Sequence, residues 1–315
     1  MGLSRAALVV VLVAAGSTVA LPTAAVALAR HAPAAAQPQV SSTQGPPSHT
    51  AAAAAAASAS GSGSAASPAA TVPSPVAAAP VDLAALPEAR YDAVIPGLHG
   101  YSSPLVPELS RVAYSLRADA PLSAEPGGAP IARLAAKNFL DEPTVVVRVA
   151  LRGRWALVLT PARSALPSRS GGAAPAQTAG WVPVETLVNP VTLPRRIVIS
   201  LSRQELAIVA EDSVEQSFAV GVGTASTPTP HGVTGYLQAR YLDPEQNQSR
   251  YPVQLSSLHS AAADEPFGGT DGGLIGVHYQ RTATGAVSHG CVRLTAEAVR
   301  AVDSLPLGTP ITITE

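Results

Sequence analysis

The clearest hydrophobic pattern in the chain lies between Arg196 and Gly223, where apolar and polar residues alternate. Alternation with a period of two is typical of strands that bury one face. Polar residues that favour turns interrupt the alternation at 202–205 and 211–213. The pattern therefore predicts three short strands connected as an antiparallel meander.

Weaker signals continue this segment to the end of the chain. Two more strands are predicted, at Leu274–Val277 and at Ile311–Ile313. Between them, Thr295 is expected to cap a short helix through its hydroxyl group. The helix is predicted to extend to Leu305 because apolar residues recur at helical spacing, at Ala298, Val299, Val302 and Leu305.

An earlier set of short strands is separated by Gly-rich turns and predicts a small barrel over residues 108–190. The predicted strands are Val112–Leu116, Ile131–Leu134, Thr144–Leu151 and Trp155–Leu159, with a hairpin turn at Gly153. The segment that ends in the motif GWVP resembles the last half of a bacterial SH3-like domain. Trp155 and Trp181 are interpreted as core residues of that barrel.

The amino-terminal third has a different composition and predicts export. Arg5 precedes an apolar run, and no charge interrupts residues 6–29, so residues 1–29 are expected to be a signal peptide or a retained membrane anchor. Ala, Pro, Ser and Gly then dominate, and such a sequence buries too little apolar surface to fold. Residues 30–107 are therefore predicted to form a disordered linker.

Overall composition narrows the partners and the chemistry. The net charge of −1 gives no basic field, so nucleic acid is not an expected partner, and the tether through 6–29 is the only expected contact with a membrane. Aromatic residues make up 4% of the chain, so the core must come from Val, Leu and Ile, which favours β structure. The single cysteine excludes an intramolecular disulfide.

Cys291 is the candidate nucleophile, and it needs a base because a free thiol is mostly protonated at neutral pH. Two histidines are candidates for that base. If residues 288–294 are extended, His289 and Cys291 share one face of a strand, whereas His278 must reach Cys291 from a neighbouring strand. Spacing alone favours His289. Ser288 could hydrogen-bond to His289, and the N–H groups of Gly290 and Cys291 could hold an oxyanion.

Three motifs together, TPTPHG, IGVH and SHGCVRL, resemble the L,D-transpeptidase catalytic domain of the YkuD type, over about residues 193–315. The resemblance implies a mainly β chain, in which a β-sandwich catalytic domain with a short helix follows the SH3-like barrel. It also implies that His278 is the base, oriented by the Tyr279 carbonyl, and that Cys291 is the nucleophile. The chemistry of thiols adds the expectation that this sulfur is ionised beside an imidazole in an open groove. His289 and Ser288 would then support the pocket, and Arg293 would hold the loop or meet a substrate carboxylate.

The implied reaction is acyl transfer between peptidoglycan stem peptides, a donor and an acceptor, with no metal or cofactor. Cys291 would form a thioester with a tetrapeptide stem, release D-Ala and pass the acyl group to an amine, forming a 3-3 cross-link. The location expected for this reaction is the cell wall or periplasmic space. The open alternatives are an L,D-carboxypeptidase, an enzyme that attaches proteins to the wall, and a non-catalytic wall-binding protein. His231 and His259 are interpreted as ordinary loop residues.

Overall fold

The computed structural model describes residues 81–103, 106–263, 271 and 273–315. Its architecture is mainly β, with two sheets and, within the described residues, one α-helix. The predicted signal or anchor at 1–29 and most of the predicted linker lie outside the described residues. In the described part of the chain, no helix is long and apolar enough to cross a membrane.

The first sheet contains eight strands in the order β4-β3-β7-β6-β5-β2-β8, and β1 also pairs with β7. Short 3₁₀ turns accompany it at Leu83–Ala85, Glu108–Arg111, Pro167–Arg169 and Val184–Thr186. The strands are β1 (His99–Gly100), β2 (Val112–Leu116), β3 (Ala120–Ser123), β4 (Pro130–Leu134), β5 (Val145–Arg152), β6 (Trp155–Thr160), β7 (Thr178–Pro183) and β8 (Leu187–Thr192). The four predicted strands correspond to β2, β4, β5 and β6, whereas the SH3-like nature of this region stays a prediction.

The second sheet contains ten strands in the order β11-β10-β9-β18-β13-β14-β15-β17-β12-β16. A 3₁₀ turn at Pro244–Gln246 connects β13 to β14. Its elements are β9 (Arg195–Ser200), β10 (Glu205–Ala210), β11 (Ser213–Ala219), β12 (Gly221–Gly223), β13 (Val233–Asp243), β14 (Gln248–His259), β15 (Leu274–Tyr279), β16 (Gly285–Ser288), β17 (Val292–Leu294), α1 (Ala296–Asp303) and β18 (Pro310–Thr314).

Two local predictions in this sheet are confirmed. β9, β10 and β11 form an antiparallel meander with turns at the predicted positions. Thr295 caps α1, since its Oγ1 accepts a hydrogen bond from the Ala298 N–H at 3.3 Å. Ala298, Val299 and Val302 are fully buried against the sheet, so the helical spacing of apolar residues marks the face that packs.

The predicted end of the linker at residue 107 is wrong. Ala89, Ile95 and Leu98 are buried in the core of the first sheet. Glu88 forms a bridge with Arg133, and Val94 forms another with Arg163. A few apolar residues among many small ones are enough to add this segment to an existing sheet, because the sheet supplies the hydrogen-bond partners.

The two sheets pack directly against each other. Tyr236 on β13 is 1% exposed and lies in one apolar cluster with Val147 and Leu159 of the first sheet. His259 at the end of β14 is buried, and its Nε2 lies 2.7 Å from the Pro161 carbonyl oxygen. The interpretation of His259 as a loop residue is therefore wrong, because its side chain bridges the sheets.

Candidate active site

Cys291 and His278 come together across two parallel strands. β15 and β17 pair with His278 opposite Arg293, so Cys291 lies beside the start of this pairing, near Gly276. Side chains at 276 and 278 point to the same face of β15. A Cβ atom at Gly276 would lie 3.7 Å from both Cys291 Sγ and His278 Cδ2. The thiol and the imidazole therefore both border the space beside Gly276.

The orientation of His278 suits a general base. The residue is 3% exposed, and its Nδ1 lies 3.0 Å from the Tyr279 carbonyl oxygen. A carbonyl only accepts, so Nδ1 carries the proton and Nε2 keeps a free lone pair. Nε2 is buried without a hydrogen-bond partner in the described part of the chain. Burial lowers the pKa of His278, and the charge of Arg293 lowers it further. The hydrogen bond to the Tyr279 carbonyl raises this pKa but does not outweigh burial, so the resting ring is neutral.

Cys291 is a half-buried thiol in its resting state. Burial raises its pKa, and this outweighs the backbone N–H of Gly276 and the charge of Arg293, which both favour the thiolate. Sγ lies 3.9 Å from the Leu274 carbonyl oxygen, a weak contact for an S–H donor. The expectation of a resting thiolate in an open groove is therefore wrong, because desolvation disfavours the charged form.

The segment between His289 and Cys291 is a turn. β16 ends at Ser288, β17 begins at Val292, and Gly290 between them has φ +102°, a conformation that L side chains rarely adopt. His289 is exposed, whereas His278 is buried beside the thiol. Extended geometry for 288–294, which made His289 the base favoured by spacing, is therefore not observed.

Ser288 supports this turn from inside. It is 2% exposed, and its Oγ donates a hydrogen bond to the Cys291 carbonyl oxygen at 2.5 Å. This contact differs from the expected bond to His289, because Ser288 points inward and His289 points to solvent. Ser288 thus fixes the backbone that carries the thiol. The oxyanion role of the Gly290 and Cys291 N–H groups stays a prediction.

Two threonines of the TPTP motif hold the same turn, and we call them the threonine clamp. Thr227 Oγ1 donates to the Ser288 carbonyl at 3.0 Å, and Thr229 Oγ1 donates to the Gly290 carbonyl at 2.7 Å. Both threonines are buried. Sequence reasoning missed this role, although the motif was recognised, because the contact joins residues 61 positions apart.

Arg293 is a half-buried cation next to the reactive groups. Within the described residues, no carboxylate lies within ion-pair distance of its guanidinium group. Burial lowers the pKa of Arg293, while its charge acts on both Cys291 and His278. The side chain can therefore offer positive charge to an anionic group. Whether it meets a substrate carboxylate stays a prediction.

A narrow pocket of about 20 Å³ opens beside the thiol. Its wall includes Tyr241, whose pKa is raised by burial and by the charge of Asp243. Asp, Glu, His and Cys side chains form no metal-holding group of three or more within the described ranges. The lining residues are Tyr241, Gln246, Gln248, Val253, Leu255, Leu274, Gly276, His278 and Cys291.

Sequence similarity identifies the segment that carries this site. Residues 194–313 match the family model of the YkuD L,D-transpeptidase catalytic domain. YqjB of Bacillus subtilis strain 168, named provisionally as an L,D-transpeptidase, is 25% identical over 143 residues, 40% of this chain and 75% of that protein. YkuD of Bacillus licheniformis, with a similarly provisional name, is 29% identical over 127 residues, 40% of this chain and 69% of that protein.

Among solved structures, an L,D-transpeptidase from Mycobacterium smegmatis is similar, with 16% identity and a TM-score of 0.31. The match covers 55% of this chain and 91% of that one. A TM-score this low does not establish a common fold, so the assignment depends on the sequence match. Residues 194–313 are therefore similar in sequence to the L,D-transpeptidase catalytic domain of the YkuD family.

Proposed function

We propose that this protein is a cysteine L,D-transpeptidase that forms 3-3 cross-links between peptidoglycan stem peptides. The observation that carries the proposal is the buried His278 ring, which shares the space over Gly276 with the Cys291 thiol and keeps Nε2 unpartnered within the described residues. A nucleophile beside a base that a third group orients is the arrangement that acyl transfer needs. Here the Tyr279 carbonyl is that third group.

In the acylation half, the Cys291 sulfur attacks the carbonyl carbon between the third residue of the stem and its terminal D-Ala. The thiol proton moves to His278 Nε2 as the C–S bond forms. This transfer starts from a neutral pair, since burial disfavours both charged forms. When the C–N bond breaks, the imidazolium returns the proton to the D-Ala nitrogen, which leaves as an amine.

The oxyanion of the tetrahedral intermediate needs donors fixed in advance. We propose that the N–H groups of Gly290 and Cys291 supply them, because the turn that carries these groups is held by Ser288 and the threonine clamp. Arg293 adds positive charge nearby. We propose that His289, which is exposed on this turn, supports the edge of the pocket.

In the second half, an amine of another stem attacks the thioester. Its proton moves to His278, the C–S bond breaks, and the thiolate recovers that proton. The product is the cross-linked dimer. Because stem peptides are exposed on the outer side of the cytoplasmic membrane, we propose that the protein is exported, with residues 1–29 acting as signal or anchor and residues 6–29 as the possible tether.

The experiment is to incubate the purified protein with a disaccharide tetrapeptide and to measure the products by mass. Loss of D-Ala together with a dimer supports transpeptidation, and C291A should abolish both. Loss of D-Ala without a dimer would indicate an L,D-carboxypeptidase. Absence of D-Ala release, with no covalent adduct from a carbapenem, would instead favour a non-catalytic wall-binding protein.

The identity of the base has its own test. H278A should abolish acylation at every pH between 6 and 9, since no other imidazole borders the thiol within the described residues. H289A should retain acylation within about 5-fold, because an exposed side chain offers at most a modest contact. Loss of acylation in H289A alone would assign the base to His289.

A further inference from the structure

Gln248 is a buried amide beside the proposed base. It begins β14, is 3% exposed and lines the pocket that contains Cys291 and His278. Its Nε2 donates to the Tyr279 carbonyl at 3.0 Å and lies 3.4 Å from His278 Nδ1. The Tyr279 oxygen thus receives hydrogen bonds from both side chains, which fills its two lone pairs. One end of the Gln248 amide is therefore occupied in holding the base.

The other end of this amide has no partner. Gln248 Oε1 is buried without a hydrogen-bond donor in the described part of the chain, and so is His278 Nε2. Leaving a buried acceptor unpaired costs stability, so each such atom calls for an explanation. Among the described residues that line this pocket, the unpaired buried side-chain atoms are both acceptors. The residues that line the pocket therefore leave two acceptors for the hydrogen-bond donors of a bound group.

The size of the pocket limits what that group can be. A space of about 20 Å³ holds about one water-sized group. A primary amine has this size and carries two N–H donors. In the proposed reaction an amine nitrogen occurs twice, as the leaving nitrogen of D-Ala and as the attacking nitrogen of the acceptor stem. The leaving nitrogen and the attacking nitrogen occupy the same position, because forming the new amide bond is the reverse of breaking the old one.

We propose, on the basis of the function proposed above, that Gln248 is a specificity-determining residue for the amine side of the scissile bond. Its Oε1 accepts the N–H that the donor amide already carries, while His278 Nε2 delivers the second proton as the C–N bond breaks. In the reverse direction, the acceptor amine donates one N–H to Gln248 and gives its other proton to His278. An ester oxygen at this position carries no hydrogen, so it cannot donate to Gln248 Oε1.

The test compares two donors that differ in one atom. One is the tetrapeptide, whose leaving group is D-Ala, and the other is the matching ester, whose leaving group is D-lactate and lacks the N–H. In Q248M the ratio of kcat/KM for the amide to that for the ester should fall about 10-fold to 100-fold. Any loss common to both donors reports the lost bond to Tyr279 and cancels in the ratio.

Gln254 offers a matched control on the same strand. It is fully buried, and its Nε2 donates to Asp303 Oδ1 at 2.9 Å, outside the pocket. Q254M should therefore change kcat/KM by the same factor for the amide donor and for the ester donor. Should Q248M fail to fold, Q248N carries the test, because it keeps an amide but withdraws the oxygen by one methylene. An unchanged amide-to-ester ratio in the folded Gln248 variant would overturn the inference.

The acceptor arm uses the acyl-enzyme formed from the ester. In wild type, an added stem amine should attack this acyl-enzyme, and Q248M should lower the rate of that attack about 10-fold, because the amine loses the acceptor of one N–H. An equal rate of aminolysis in both proteins would overturn the inference for the acceptor. If wild type releases D-Ala from no donor, the proposed function itself fails, which is a different result from any change in these ratios.

Discussion

At the scale of single residues, Gly276 lies beside both groups that carry the proposed chemistry. A Cβ there would make ordinary van der Waals contact with Cys291 Sγ and His278 Cδ2, at 3.7 Å from each. We expect G276A to fold, with a melting temperature within about 3 °C of wild type. Its acylation rate should fall at least about 10-fold, because the methyl group occupies the path of the proton. Stopped-flow acylation and thermal melts measure the two quantities.

A control for this substitution is available nearby. A Cβ at Gly273 would meet no atom of the described residues within 4 Å, so G273A adds the same methyl group without a described contact. Its acylation rate should stay within about 2-fold of wild type. Equal losses in both variants would show that Gly276 matters only for backbone freedom.

The protonation state of Cys291 gives a second prediction at this scale. Burial raises the pKa of the thiol, so its alkylation by a neutral reagent should reach half-maximal rate at a higher pH than that of an unfolded cysteine peptide. Removing the nearby charge in R293M should raise this midpoint further, since Arg293 favours the thiolate. A midpoint below that of the peptide would contradict the neutral resting thiol.

At the scale of elements, the turn between β16 and β17 depends on the threonine clamp. Thr229 Oγ1 accepts from the Gly223 N–H at 2.9 Å and donates to the Gly290 carbonyl. T229V keeps the shape but leaves both backbone groups unpaired, so the free energy of unfolding should fall by about 1–3 kcal/mol. The acylation rate should also fall about 10-fold in the folded protein, because the turn carries the thiol. Denaturant titration and single-turnover kinetics test this.

Thr312 supplies the comparison for the clamp. Its buried hydroxyl pairs with that of Thr234 at 2.9 Å, on strands away from the turn. T312V should lose stability but keep the wild-type acylation rate per folded molecule. A rate in T229V equal to that in T312V would mean that the clamp is only structural.

Elements were predictable where their cause is local. The meander of β9, β10 and β11 follows from alternation and polar turns, and α1 follows from a capping threonine and a helical stripe. The turn at 288–291 was not predictable from alternation, because its conformation depends on Gly290 and on hydrogen bonds from the TPTP motif.

At the scale of the whole molecule, the connection between β4 and β5 of the first sheet reaches the wall of the pocket through Phe139. Phe139 packs edge-on against Tyr241 with ring centroids 5.9 Å apart, and Tyr91 packs against Phe139 at 4.8 Å. Tyr241 in turn lines the pocket beside Cys291. The region predicted as a separate SH3-like domain therefore forms part of the support of the site.

The buried His259 makes stability depend on pH. Burial lowers the pKa of His259 to about 3, and the Arg163 charge adds a smaller effect in the same direction. The hydrogen bond to the Pro161 carbonyl raises this pKa, but by less. Between about pH 6.5 and 3 the unfolded histidine binds a proton that the folded one does not. The free energy of unfolding should therefore fall as pH falls through this window, by up to about 1.4 kcal/mol per unit from this residue. Buried His278 acts in the same direction.

Urea titrations at pH 7 and pH 5 measure this effect. H259Q should lose part of the difference between the two pH values, since an amide does not titrate but can still donate to Pro161. H231Q serves as the matched control. His231 is exposed and contacts only the exposed Glu315 carboxylate among the described ion pairs, a surface contact of little energetic weight, so H231Q should keep most of the wild-type difference. If H259Q shows the same change in the free energy of unfolding between pH 7 and pH 5 as wild type, the pH dependence must come from other residues.

The sequence by itself determined the mainly β architecture, the helix cap, the similarity to the YkuD family and the identity of the candidate nucleophile, because these depend on local periodicity and on a short motif around Cys291. Tertiary structure decided which histidine lies beside the thiol, where the linker ends and how His259 is buried. It also placed Gln248, 30 residues before His278, at the proposed base. The physical reason is that desolvation and hydrogen-bond partners belong to residues distant in the chain, so no local pattern records them.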